Sequence, residues 1–271
     1  MCSPNWASPS SGAFTFSSSN TGVASVTADG KVTVVGAGTS TITATQAASG
    51  NYSSSSVAAV VTVGRATTAI ANLVLNNLTY GASEVTLAPR SNNPSPFTFT
   101  SSSPNVLAVN ATTGRVSVVG AGTATITVRQ ASSANYEAGS ESLTVQIGRA
   151  TPTLSNFSAI SKDYGDAPFT LAAPSADYNS VSVAGSWTYT SAQASVATIN
   201  ASTATVTGGG TSVLTATFTP DDSTNYVTAF TTSTLTVDKA TPTFSWTNVG
   251  ATYGDADISI VSPAVATTSA T

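Results

Sequence analysis

Histidine is absent from this 271-residue sequence, and cysteine and methionine occur once each. Without histidine the usual general base, a common metal ligand and any Ser-His nucleophile pair are gone. Serine and threonine are plentiful but have no residue to activate them. Cys2 lacks a histidine partner, which makes it a poor nucleophile, and as the lone cysteine it can form no internal disulfide. Charge is scarce as well: 7% of residues are charged and the formal net charge is −4. The eight basic residues (Lys31, Arg65, Arg90, Arg115, Arg129, Arg149, Lys162 and Lys239) are scattered, so no tract follows a phosphate backbone and nucleic acid is not an expected partner. No apolar run approaches the roughly 20 residues that span a bilayer, so membrane insertion is not expected either. Leu, Glu, Lys and Arg do not recur at helical spacing, and almost no helix is expected. Met1-Cys2-Ser3-Pro4-Asn5-Trp6 has neither the basic nor the apolar region of a secretory signal. Three readings follow: a piece of a longer exported protein, assembly into a virion, or a leaderless route.

What is present is a repeat. Gly36-Ala37-Gly38-Thr39 returns 84 residues later as Gly120-Ala121-Gly122-Thr123, and 88 further on as Gly208-Gly209-Gly210-Thr211. Asn51-Tyr52 returns as Asn135-Tyr136 and Asn225-Tyr226, and Arg65-Ala66-Thr67 as Arg149-Ala150-Thr151 and Lys239-Ala240-Thr241. Tyr80-Gly81 returns as Tyr164-Gly165 and Tyr253-Gly254. Independent markers agree on one period, 84 to 90 residues. Solenoid units of roughly 20 to 50 residues cannot fold alone, whereas a unit near 90 suits a self-sufficient sandwich of about seven strands.

Within a unit, Thr and Val fill alternating stretches that suit a half-buried strand. Lys31 to Val35 alternates, a Gly-Ala-Gly-Thr turn follows, and Ser40 to Thr45 alternates again. The spacing predicts a hairpin whose turn needs glycine for positive φ. The predicted inward set is Val32, Val34, Ile42 and Ala44, with Val116, Val118, Ile126 and Val128 in the second copy. Phe14 and Phe16, Phe97 and Phe99, and Trp187 and Tyr189 are spaced by two, which places each pair on one strand face as a core anchor. Tyr52, Tyr136 and Tyr226 are read as core rings whose hydroxyls bond backbone, as in a tyrosine corner.

The succession aromatic-Thr-aromatic, Ser-Ser-Ser, Val-Ala-Val, basic-Val, Val-Gly-Ala-Gly-Thr-x-x-Ile-Thr, Asn-Tyr and Leu-Thr-Val resembles bacterial immunoglobulin-like domains of the group 2 (Big2) type. Lys162-Asp163-Tyr164-Gly165-Asp166-Ala167 resembles related repeats of bacterial surface adhesins and phage structural proteins. The resemblance covers essentially the whole chain. It implies an all-β fold of tandem immunoglobulin-like β-sandwiches used for spacing, display and adhesion, with no catalytic residue to carry over. Expected domains are repeat 1 at 1–64, lacking its N-terminal strands; repeat 2 at 65–148; repeat 3 at 149–238; and the N-terminal part of repeat 4 at 239–271. In the third repeat Thr205-Val206-Thr207-Gly208-Gly209-Gly210 departs from the pattern, predicting a shorter hairpin. Short joints stiffened by Thr151-Pro152 and Thr241-Pro242 predict a fairly rigid rod. The part missing from repeat 1 is roughly the part present in repeat 4, so head-to-tail strand complementation joins the alternatives.

No catalytic, cofactor-binding or metal-binding residue is expected. Asp221-Asp222 and Asp255-x-Asp257 are the close acidic pairs. Calcium at a domain joint is the one cofactor they suggest, but Ala47-Ala48 and Ser132-Ser133 stand where Asp221-Asp222 recur in register, so a polar turn is the favoured reading. A repeated Lys–Asn isopeptide staple is excluded because Arg115 and Thr205 replace Lys31. The Gly-Ala-Gly turns precede strands, unlike phosphate loops, which open helices. The Asn-x-Ser/Thr triplets at Asn51, Asn77, Asn110, Asn156 and Asn200 are expected to stay bare. Trp6, Trp187 and Trp246 do not repeat at one position, which argues against a carbohydrate-binding stripe. The expected function is a non-catalytic structural or adhesive stalk, extracellular or at the cell surface. Its partners would be neighbouring repeats and a host-surface glycan or protein. A virion protein (tail fibre or capsid decoration) and a self-assembling surface filament are the alternatives.

Overall fold

The computed structural model describes residues 8–245, 248–259 and 262–266. Cys2, Trp6 and Trp246 lie outside them. The described residues form strands and turns with no helix, in keeping with alternating Thr and Val and with the lack of helical spacing among Leu, Glu, Lys and Arg. Two compact units divide the chain: 1–78 with 83–119 and 123–146, and 79–82 with 120–122 and 147–271.

In the second unit, a small sheet joins Thr153–Ser155, Ser175–Tyr178 and Val181–Ser182 beside the sandwich of repeat 3, which has two sheets. One has four strands in the order Ile160–Asp163, Ala229–Asp238, Gly210–Pro220, Gly185–Ser191. Its first pair is parallel, Ile160 opposite Leu235 and Asp163 opposite Asp238, and the others are antiparallel. The other sheet has three strands, Phe169–Thr170, Thr203–Val206, Ala197–Asn200. In immunoglobulin terms these are A′GFC and BED, the seven-strand sandwich. Leu171, Val196, Ala197, Ala204, Leu214, Leu235 and Val237 fill the space between the sheets, with Phe157, Ile160, Phe169 and Tyr189 packed around them.

The first unit carries the same plan. In repeat 1, Phe14–Ser18, Gly38–Gln46 and Ser55–Val63 form a three-stranded sheet, and Ala24–Val26 pairs with Val32–Val34. In repeat 2, Phe97–Ser101 pairs with Gly122–Gln130, and Leu107–Val109 pairs with Arg115–Val118, whose other edge takes Val85–Thr86. Threonine pairs across the solvent faces add small cross-strand bonds, as between Thr125 and Thr144 at 3.0 Å.

Three expectations are corrected here. The Gly-Ala-Gly-Thr turn does not close a hairpin: Val32–Val34 pairs with Ala24–Val26, whereas Gly38–Gln46 lies in the other sheet. Alternation marks both strands but is blind to pairing, so a corner that crosses between sheets reads like a hairpin. The glycine requirement holds all the same, with φ of 137° at Gly38 and 142° at Gly122 and Gly210. Second, Val32 and Val34 are 41% and 61% exposed, whereas their counterparts are covered further, Val116 to 2% exposed and Val118 to half-buried. The cause is the cover: Val116 pairs with Val85, and nothing among the described residues plays that part over Val32. Third, the strand leading into the glycine turn of repeat 3 is not shorter: Thr203–Val206 has four residues, as Arg115–Val118 has in repeat 2. Of the aromatic pairs, only Phe99 is fully buried, the others being half-buried.

The crossing corner gives a first prediction. Gly210→Ala places a Cβ at φ 142°, with Val196 Cγ2 3.3 Å away, and should cost about 1–3 kcal/mol. A lower midpoint in urea unfolding, localised to repeat 3 by hydrogen exchange, is the readout.

Candidate functional site: the joint between repeats

Each Asn-Tyr marker lies in the loop between the last two long strands of its repeat, Gly122–Gln130 and Gly139–Gly148 in repeat 2. A tight turn prepares it: Ser133 N donates to Tyr136 O at 3.0 Å, and in repeat 1 Ser49 N donates to Tyr52 O at the same distance.

Within the first unit, Asn135 of repeat 2 holds two other segments. Its side-chain Oδ1 accepts from Ala37 N of the repeat 1 corner at 2.8 Å. Its backbone carbonyl accepts from Ala66 N in the leading segment at 2.9 Å, and Glu137 N donates back to Ala66 O at 2.8 Å. Ala66 and Tyr136 thus form a parallel bridge. Gly36 is required at the contact, because a Cβ there would lie 2.7 Å from Gly22 O and 3.0 Å from Asn135 Oδ1.

Within the second unit the same set recurs. Ala121 N donates to Asn225 Oδ1 at 2.8 Å. Ala150 N donates to Asn225 O at 2.8 Å, Val227 N donates to Ala150 O at 2.9 Å, and Ala150 bridges Tyr226. Asp222 Oδ2 accepts from Asn225 Nδ2 at 2.8 Å. That bond fixes which way the amide faces and aims Oδ1 at Ala121. Asp222 is therefore a turn residue that orients the clamp, as the polar-turn reading holds. One asparagine ties together the preceding repeat, the leading segment and its own repeat, using a side chain and a backbone group that would otherwise bond water.

Tyr226 corrects the tyrosine-corner reading. Its ring packs edge-on against Tyr80 at 5.3 Å and Tyr178 at 5.9 Å between centroids, and it is half-buried at the joint. Asn179 Nδ2 donates to Gly81 O at 3.1 Å beside it. Tyr52, by contrast, is 51% exposed. The signal was in the sequence: Gly-Ala-Gly and Asn-Tyr recur together, which pointed to a shared contact and not to two separate core roles.

Burial, then the neighbouring Tyr80, Asp222 and Tyr178, pushes the Tyr226 hydroxyl above the ordinary tyrosine value of 10.0. The folded state thus favours the neutral phenol. That contribution is complete below pH about 10 and is lost as pH rises through the higher folded value. Tyr226→Phe should flatten the loss of stability that sets in as pH rises above about 10, read as urea midpoints of both proteins at increasing pH.

No group of three acidic or cysteine side chains that could hold a metal ion occurs among the described residues. Asp255 Oδ2 accepts from Thr252 N at 2.7 Å, shaping the Tyr253-Gly254 turn. An open groove of 340 Å³ is lined by Thr151, Pro152, Leu154 and the 71% exposed Phe230. Its lining carries no titratable side chain.

Residues 5–48 and 90–132 match the family model described as "Intimin, immunoglobulin-like domain". No curated protein matches the chain. Among solved structures, Drosophila N-cadherin EC1-3 is similar at 13% identity and TM-score 0.31, over 84% of this chain and 90% of that one. Surface layer protein SbsC, domains 1-6, is similar at 16% identity and TM-score 0.29, over 86% of this chain and 37% of that one. Sidekick-1 immunoglobulin domains 1-5 are similar at 8% identity and TM-score 0.33, over 84% and 53%. The A′GFC and BED strand order and the two matched segments make this a tandem immunoglobulin-like chain similar to the bacterial immunoglobulin-like domain of intimin.

Proposed function

We propose that the chain is a non-catalytic structural and adhesive module, a spacer of tandem immunoglobulin-like repeats at the surface of a bacterial cell. The observation that carries the reading is the asparagine clamp, built twice from the same residue types and the same bonds, Ala37 to Asn135 and Ala121 to Asn225. A joint that recurs with one geometry holds repeats in series, which is what a spacer requires. The likeness of residues 5–48 and 90–132 to an intimin domain supports a bacterial surface setting. The lack of histidine supports a role without catalysis. Repeats bounded at 1–64, 65–148, 149–238 and 239–271 belong to this reading, since each boundary falls at a basic-Ala-Thr segment and Asn135 and Asn225 hold two of the three, at Ala66 and Ala150. Immunogold labelling with antibodies to the chain should decorate the outside of intact cells. Labelling of phage particles in place of cells would overturn the stalk and favour the virion alternative.

The clamp itself is testable. Asn225→Ala removes the acceptor for Ala121 N and should cost about 0.5–1.5 kcal/mol. Hydrogen exchange at the Ala121 amide should accelerate while amides in the middle of Gly210–Pro220 stay protected. Unchanged protection at Ala121 would show that the clamp bears no load.

A further inference from the structure

Within the second unit, Tyr80, Tyr178 and Tyr226 bring three phenol rings together. Tyr226 stands in the middle. Its ring meets Tyr80 at 5.3 Å with 85° between the planes, and Tyr178 at 5.9 Å with 75°. Edge-to-face packing is ordinary for aromatic rings, but here it also sets oxidisable ring carbons side by side. Among the described residues no other two tyrosine rings pack together, and Tyr189 has Phe157 as its neighbour. All three side chains of the cluster are half-buried, so none is sealed from solvent.

The backbone on each side of the rings is fixed. Tyr80 N donates to Gly148 O at 2.8 Å, and Ala82 N closes the turn on Thr79 O at 3.0 Å. Asn179 and Ser180 have φ of 49° and 63°, and Tyr178 lies opposite Val181, so a tight hairpin turn presents Tyr178. Asn179 Nδ2 holds Gly81 O, and a Cβ at Gly81 would stand 2.7 Å from Tyr178 Cε1. Across the cluster, Tyr226 N donates to Asp222 O at 3.0 Å, and Tyr226 bridges Ala150. What stays free is the ring torsion, which is broad for tyrosine. Rings held close by anchored backbones meet at a high effective concentration.

We propose that Tyr80 and Tyr226 are a site of oxidative modification, joined as a dityrosine that staples the leading turn of repeat 2 to the Asn-Tyr loop of repeat 3. Each phenol gives up one electron and one proton and becomes a neutral tyrosyl radical. The two radicals couple through one carbon–carbon bond between ring carbons next to the hydroxyls. The hydrogens on those two carbons then move to the oxygens and restore both phenols. The pair loses two electrons and two protons in all. Hydrogen peroxide, acting through a haem peroxidase, takes them up and leaves as two waters. With a single cysteine the chain can close no disulfide of its own, and a dityrosine restrains the unfolded chain in the same way. Ring geometry carries this site whether the chain serves a cell surface or a virion.

The test is oxidation of the purified full chain, kept dilute, with hydrogen peroxide and a haem peroxidase, followed by isolation of the monomer. The monomer should show dityrosine fluorescence. Its digest should contain the peptides bearing Tyr80 and Tyr226 joined, with the mass of two hydrogens missing. Tyr80→Phe and Tyr226→Phe keep a ring in place, so the fold is retained, and each should lower the monomer's fluorescence about tenfold. Tyr178→Phe should leave the Tyr80–Tyr226 bond forming as before. The cross-linked monomer should also unfold at higher urea than the untreated one. A monomer without dityrosine, fluorescence untouched by Tyr80→Phe, Tyr226 joined to Tyr178 in place of Tyr80, or a cross-linked monomer no more resistant to urea would each overturn the proposal.

Discussion

Phe218→Ala should unfold repeat 3 more readily by about 3–5 kcal/mol, the cost of emptying a site that holds a buried phenyl ring. Phe218 is 1% exposed and its ring lies 4.9 Å from that of Trp187 across the strand pair Gly185–Ser191 and Gly210–Pro220. The backbone makes room for it. A Cβ at Gly185 would stand 2.6 Å from the Phe218 ring, so only glycine lets the ring lie over that strand. The same position in the other repeats is a buried glutamine. Gln46 donates from Nε2 to Ser10 O and Gly12 O, both at 3.0 Å, and Gln130 donates to Asn93 O at 3.1 Å. Repeats 1 and 2 therefore close this end of the sandwich with hydrogen bonds, and repeat 3 closes it with an aromatic pair. Hydrogen exchange should report the loss along Gly210–Pro220, with amides of repeat 1 unaffected. A cost below about 1 kcal/mol would mean that the cavity collapses. Gly185→Ala should destabilise by about 1–3 kcal/mol through overpacking.

Leu235→Ala should cost about 2–5 kcal/mol in repeat 3, while Val61→Ala, at the equivalent place in repeat 1, should cost clearly less in the monomer. Leu235 is wholly buried among Leu171, Val196, Ala197, Ala204, Leu214 and Val237, and the parallel strand Ile160–Asp163 seals its edge. Val61 keeps its place in the strand Ser55–Val63 but is only half-buried, so less apolar area is lost on truncation. Unfolding of the two variants, followed by urea with hydrogen exchange assigning each transition to its repeat, measures the difference. Equal costs would mean that repeat 1 has a closed core of its own.

The sandwich and its number of strands were legible in the sequence because burial imposes period two on every strand, and the repeat shows that period three times over. Glycine at Gly38, Gly122 and Gly210 was legible because positive φ excludes most other residues. Strand pairing was not. Val32–Val34 and Gly38–Gln46 have the same alternation whether they share a sheet or face each other across the core, and only the tertiary arrangement separates the cases. The clamp was half legible: Asn51, Asn135 and Asn225 stood out by recurrence, but their partners lie 98 and 104 residues away in the two joints that form.

The sequence alone determined an all-β repeat protein with no histidine-based chemistry, since composition fixes which side chains exist and periodicity fixes which face they occupy. The tertiary structure decided that the Asn-Tyr corner is a joint and not a core fixture, because that role comes from contacts between repeats. It also decided that Val32 and Val61 are less covered than their buried counterparts Val116, Val145 and Leu235. A residue's own pattern states which face it takes, and only the neighbouring strand determines whether that face is closed.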